Sequence, residues 1–224
     1  MTVSNELLNL YQKNPGYFSG ARPEMLKFFP DSGSKVLDVG CAEGNFGALL
    51  KQGANCEVWG TELNSSAGEI ARGKLDKVLV GDIFDQLSNI PSDYFDVIYF
   101  NDVLEHLVDP EALLKEMKSK LNSKGLVICS IPNILYYRAL KSYLVDRDWK
   151  YEDSGVMDKT HLRFYTRKSI LRMFESCGYI INQLKPINLS KSPVPYMASI
   201  LTLGLIPFQI CAMQFAVVAK PKEK

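Results

Sequence analysis

The sequence predicts an α/β fold, a doubly wound and mostly parallel sheet of seven strands with helices on both faces. Two observations carry that reading. Apolar runs near 36–40, 57–62, 77–81, 95–100 and 125–130 alternate with helix-length segments. That is the pattern of right-handed parallel crossovers whose sheet is covered on both sides. The first run, Val36-Leu37-Asp38-Val39, also breaks at Gly40, Ala42 and Gly44 into a helix-like stretch through Phe46, Leu49 and Leu50. A buried strand turns into a helix in this way, and ligands of open α/β sheets bind at such turns.

Three carboxylates stand at strand ends. Asp38 lies just before the first glycine of the turn, Glu62 ends the run Val58-Trp59-Gly60-Thr61, and Asp82 follows Val78-Leu79-Val80-Gly81. A carboxylate about 20 residues beyond a glycine-rich turn accepts the hydroxyls of a ribose. Strand ends that each carry one acid line one edge of a sheet, so the expected ligand is adenosine-like.

The remaining elements follow from capping and breaking residues. Asp109 is placed as the N-cap of a helix with Pro110 at its first position, and Asn122 to Gly125 is expected to end that helix before the fifth strand. Pro132 closes that strand. Thr166 is placed to cap a helix over 167–177, which Gly178 stops. A sixth strand is expected over 179–184 and a last one over 213–219. Residues 1–34 read as an N-terminal helical cap, with Leu7, Leu8, Leu10 and Tyr11 on one face and a turn at Asn14-Pro15-Gly16. Residues 35–224 form the main domain, with inserts at about 134–165 and 187–211.

The motifs Val36 to Gly47, Glu62, Gly81-Asp82 and Phe95 to Pro110 resemble, in order and spacing, those of the class I S-adenosylmethionine-dependent methyltransferases. The resemblance is close over about 35–133 and looser in the flanks. It implies a Rossmann-like sheet with an antiparallel C-terminal strand, and S-adenosylmethionine as cofactor with S-adenosylhomocysteine as product. It assigns Asp38, Gly40, Cys41 and Gly44 to the methionine moiety, Glu62 to the ribose, Asp82 with Ile83 to the adenine, and Asn101 to the neighbourhood of the sulfur. Tyr17 and Arg22 match an aromatic-plus-arginine segment that covers the methionine end. A surface arginine beside a packing tyrosine is the alternative there. Ala42 stands where the family commonly has glycine, which counts against a pyrophosphate ligand and so against the competing reading of an NAD-dependent dehydrogenase. A non-catalytic S-adenosylmethionine-binding module is a further alternative.

Acceptor chemistry rests on the chain's two histidines. His106 follows the fourth strand, and His161 lies in Asp158 to Thr166, which resembles a stretch of methyltransferases of bacterial polysaccharide and related small-molecule pathways. His161 is favoured as base or acceptor-binding residue, His106 is the second candidate, and Arg163 is expected to pair with a neighbouring carboxylate. The function that follows is methyl transfer to a small-molecule acceptor, with oxygen favoured and a saccharide-pathway or related metabolite expected. No metal ligand set is expected.

Composition limits the partners. With 26 basic and 25 acidic residues the formal charge is +1, which provides no electrostatic footprint for nucleic acid. The five cysteines are scattered without a CxxC, and the amino terminus has no signal pattern, so a reduced, cytoplasmic setting is expected. Aromatic residues among basic ones over 134–151 are expected to form an amphipathic insert over the active site. No charged residue lies between 192 and 219, yet Pro193, Pro195, Gly204 and Pro207 interrupt any membrane span. An apolar flap over 193–211, meeting a lipid-linked acceptor or a second copy of the chain, competes there with a plain core excursion.

Overall fold

The computed structural model describes residues 17–203, 205 and 207–222, with Tyr17 described in its backbone only. The helical face expected at Leu7 to Tyr11 and the turn at Asn14 to Gly16 lie outside the described residues. Seven strands form one sheet: β1 (Lys35–Val39), β2 (Glu57–Glu62), β3 (Lys77–Val80), β4 (Phe95–Asn101), β5 (Leu121–Pro132), β6 (Tyr179–Leu189) and β7 (Ala212–Pro221), in the order β3-β2-β1-β4-β5-β7-β6. The first five are parallel, and β7 runs antiparallel between β5 and β6.

Helices α1 (Asn45–Gly53), α2 (Ser65–Arg72), α3 (Ile83–Gln86), α4 (Pro110–Met117), α5 (Tyr137–Leu144), α6 (Arg167–Ser176) and α7 (Val194–Leu201) connect the strands. Side chains alternate across the pleat, so the central strands feed two apolar layers. Leu37, Ile98, Phe100 and Val127 belong to one layer with Leu113, Ile170 and Phe174. Val36, Val97, Tyr99 and Ile128 belong to the other with Phe46, Leu50 and Ala71. The caps form as their residue types dictate. Asp109 accepts from Ala112 N at 2.9 Å, and Thr166 and Ser169 exchange bonds in a capping box at the start of α6.

Two boundaries differ from the sequence expectation. The fourth helix stops at Met117, and β5 begins at Leu121, within the segment read as a turn. Leu121 pairs with Phe95 ahead of a bulge between Phe95 and Val97. Gly125 sits in that irregularity, where an added Cβ would lie 2.9 Å from the Phe95 carbonyl oxygen. Turn-like composition there serves a bulge. Strand β6 continues through Pro186 to Leu189, past the expected end at 184 and into the stretch read as an insert from 187. It is the edge strand of the sheet, and an edge tolerates proline because its free side needs no ladder donor.

The segment after β6 settles the core-or-flap question. Helix α7 buries Pro195 and Ser199 but exposes Val194, Met197, Ile200 and Leu201; beyond it Leu203 is 95% and Leu205 89% exposed. Among the described residues, no helix is long and apolar enough to cross a membrane. A lysine introduced by Leu203→Lys should therefore leave the melting temperature within about 2 °C of wild type, as for an ordinary surface change. Unfolding of that variant in a thermal melt would return the segment to the core.

Candidate active site

Strands β1, β2 and β4 end along one edge of the sheet, and a cavity of about 800 Å³ opens there. Its first half is built by the turn after β1. Gly40, Ala42 and Gly44 take positive φ of 69°, 50° and 75°, and Gly44 caps α1. Cys41 donates its N–H to the Thr61 carbonyl at 2.9 Å, and its side chain joins the buried cluster beneath the turn.

The Glu62 carboxylate locks that turn. Its Oε2 accepts from Ala42 N and its Oε1 from Asn64 N, both at 2.8 Å. Asp38 lines the cavity beside it and is 2% exposed. Burial first, and the charge of Glu62 second, push the Asp38 carboxyl up to about 8. Burial also raises Glu62, against which the backbone bonds act. Among the described residues neither carboxylate has an ion-pair partner.

Asp82 and Ile83 reach the same cavity from the end of β3, with Asp82 accepting from Phe84 N at 2.8 Å as the cap of α3. Asn101 closes β4 there, and both polar atoms of its side chain are buried without a hydrogen-bond partner among the described residues. Such a group costs roughly 1–3 kcal/mol unless something fills its valences. Arg22 also lines the cavity, but its guanidinium ion-pairs with Asp102 and Glu24 and donates to Gln214 Oε1 at 3.1 Å. Asp102 further accepts from Ser130 Oγ at 2.9 Å and Gln214 Nε2 at 2.7 Å. This network ties Arg22 to β5 and β7. The side chain of Tyr17 lies outside the described residues.

The second half of the cavity follows β4. A 3₁₀ turn, Leu104–His106, presents His106, and the loop Asp158–Thr166 presents His161 against it, their ring centroids 4.8 Å apart. Each Nδ1 meets a carbonyl at 3.1 Å, His106 that of Thr160 and His161 that of Val156. A carbonyl only accepts, so each Nδ1 carries a proton, and in the neutral imidazole Nε2 is left with the lone pair. The loop is sealed to the turn by Leu162 N and Arg163 N, which both donate to the Glu105 carbonyl at 2.9 and 3.0 Å. Among the described residues Arg163 has no ion-pair partner, contrary to expectation; its side chain donates to the Val108 carbonyl. An edge-on aromatic series Tyr143, Trp149, Phe164, His161 connects the insert to this loop; Gly155, Val156, Asp158, His161 and Leu162 line the cavity, whereas among the described residues none of 134–151, the stretch expected to cover the site, does.

Glu105 was not among the sequence candidates. It is fully buried, neither carboxylate oxygen has a side-chain hydrogen-bond partner among the described residues, and Oε1 stands 3.9 Å from His161 Nε2. Burial pushes it up to about 8. The signal available was a carboxylate inside the apolar stretch Val103 to Leu107, where a solvated residue has no place.

Sheet order, glycine turn and acid-lined edge define a class I S-adenosylmethionine-dependent methyltransferase. A methyltransferase-domain family matches residues 13–184, and the chain belongs to it. Among curated relatives, a ubiquinone biosynthesis O-methyltransferase of Idiomarina loihiensis is 29% identical over 181 residues, 72% of this chain and 71% of the relative. One of Actinobacillus pleuropneumoniae is 30% identical over 123 residues, half of each protein, so the chain spans about half the length of several relatives it matches. Among solved structures, a SAM-dependent methyltransferase of Archaeoglobus fulgidus superposes with a TM-score of 0.65 at 20% identity, over 91% of this chain and 96% of that one. One from Mesorhizobium loti gives 0.61 at 18%, over 90% and 99%. The chain therefore belongs with the S-adenosylmethionine-dependent methyltransferases, and the dehydrogenase alternative falls. The cavity fits the cofactor, because the unpartnered Asn101 amide and the unpaired Asp38 carboxyl both face it.

Ala42 holds a left-handed backbone that costs a non-glycine residue roughly 1–2 kcal/mol. Glycine would remove that cost at the expense of about 0.4–1 kcal/mol of added freedom in the unfolded chain. Ala42→Gly should thus raise stability by about 0.5–1 kcal/mol in denaturant titration. A clear loss would mean that the Ala42 methyl group packs usefully.

Proposed function

We propose that the enzyme methylates a hydroxyl of a small, largely apolar acceptor in the cytoplasm. The observation that carries this reading is that two imidazoles, each fixed with Nε2 free of its proton, line the same cavity as Asp38 and Glu62. Relatives named O-methyltransferases support oxygen as the acceptor atom. Leu107, Val108, Leu162 and Met213 line the cavity on the histidine side and favour an apolar ring over a saccharide. The exposed apolar residues from Val194 to Phe208 favour a lipid-linked acceptor or a second copy of the chain as the neighbour of that segment.

Bound S-adenosylmethionine supplies a methyl group on a cationic sulfur. Glu62 receives the ribose hydroxyls, Asp82 and Ile83 flank the adenine, and Asp38 with the backbone of Gly40, Cys41 and Gly44 holds the methionine moiety. Asn101 stands near the reacting end, and Arg22 lies on the methionine side. Held in line, donor and acceptor gain on the order of 7–11 kcal/mol at best from positioning. His161 and His106 receive the acceptor hydroxyl and ease the loss of its proton, an effect worth roughly 10²–10⁴-fold. Relieved of that proton, the acceptor oxygen would be the nucleophile for the methyl group that bound S-adenosylmethionine would supply, with S-adenosylhomocysteine as the leaving product.

His161→Ala should separate binding from turnover, because its loop enters the chain after the strands that carry the carboxylates. Affinity for S-adenosylmethionine by calorimetry should stay within about threefold while turnover falls roughly 10²–10⁴-fold. Undiminished turnover would remove His161 from the acceptor side.

A further inference from the structure

We propose that Glu105, His106 and His161 form a binding site for one divalent transition-metal ion, zinc foremost, to which the acceptor hydroxyl coordinates. One ligand atom from each of these residues lies within 4.8 Å of the others. The side-chain chemistry is that of two neutral imidazoles and one carboxylate, a set that zinc accepts in open, catalytic sites with a remaining position for water or substrate.

Three further features point the same way. Both Nδ1 atoms are engaged by backbone carbonyls, of Thr160 and Val156, the arrangement that fixes the tautomer of a metal-ligating histidine and directs Nε2 at the ion. Among the described residues the fully buried Glu105 carboxylate has no side-chain hydrogen-bond partner, although its Oε1 stands 3.9 Å from His161 Nε2. A buried carboxylate is ordinarily paired or bound to a metal. His106 is only half-buried and lines the cavity, which leaves the fourth position on the acceptor side.

Ligand distances of about 2.0–2.2 Å place tetrahedral ligand atoms about 3.3 Å apart, so contraction onto an ion needs shifts of under about 1 Å per side chain. Backbone bonds from Leu162 and Arg163 to Glu105 hold the two ligand-bearing segments together, so side-chain torsions alone supply that movement. With both Nε2 lone pairs on the ion, the imidazoles act through it and not as direct bases, and the cation lowers the pKa of the hydroxyl that coordinates to it. The proton leaves to water, the oxygen keeps the electron pair, and that pair forms the new bond to the methyl carbon. The use of the ion in catalysis rests on the O-methylation reading; its binding does not.

The test is calorimetric titration of zinc chloride into the full-length enzyme after treatment with a chelator, with wild type, Glu105→Gln, His106→Ala and His161→Ala compared. Melting temperatures and S-adenosylmethionine affinities are measured on the same samples. One zinc per chain should bind to wild type, and each variant should bind it at least tenfold more weakly. S-adenosylmethionine affinity should stay within about threefold. Cobalt(II) in place of zinc should show a four-coordinate visible band without sulfur-to-metal charge transfer. Absence of stoichiometric zinc binding to wild type, equal binding by all variants, or a thiolate signature pointing to the cysteines would each overturn the site. Zinc binding as expected without S-adenosylmethionine binding would instead uphold the site and overturn the reading of function.

Discussion

Two buried carboxylates at the ends of adjacent strands are the constraint on which this structure turns. Asp38 and Glu62 are held where β1 and β2 stop, within reach of each other's charge and with no ion-pair partner among the described residues. The turn after β1 exists in its left-handed form because Glu62 accepts the Ala42 N–H and Cys41 donates across to β2. The cost shows in Asp38. In the unfolded chain its proton leaves in the ordinary carboxylate range, whereas in the fold it leaves at about 8. The stability of the free enzyme therefore falls as pH rises across that interval. A cationic, hydroxyl-rich ligand is the complement of such an edge.

The acceptor half is organised differently. No strand end supplies its histidines; a 3₁₀ turn and a distant loop are sealed together by two N–H groups on one carbonyl, that of Glu105. The same residue thus fixes the loop through its backbone and offers its side chain to the imidazoles. Arg22, Asp102 and Gln214 connect the cavity to β7, so the last strand is part of the site's wall as well as of the sheet.

Much of this was legible in the sequence because it is local. Strand runs, the glycine turn, the caps Asp109 and Thr166, and the three strand-end acids depend on residues within a few positions of one another. The start of β5 was not legible, because Asn122 to Gly125 has turn composition and only its pairing with Phe95 makes it a bulge. The continuation of β6 through Pro186 depends on its place at the sheet edge, which a run of residues does not state. Glu105 and Asp102 escaped for the same reason: their partners, His161 and Gln214, lie far along the chain. The exposed face of α7 was one of two readings of an uncharged stretch, and neighbours in space decide between them.

The claim that the buried carboxylates are the cofactor's anchor is tested most directly by calorimetry of S-adenosylmethionine binding between pH 6 and 8, in buffers of different ionisation enthalpy. Asp38 is protonated in the free enzyme at pH 7, and a cationic ligand favours its carboxylate. Binding should therefore release a proton, with affinity rising with pH by up to about tenfold per unit, and Asp38→Asn should remove that dependence. Affinity independent of pH in wild type, or the same dependence in the asparagine variant, would contradict the account.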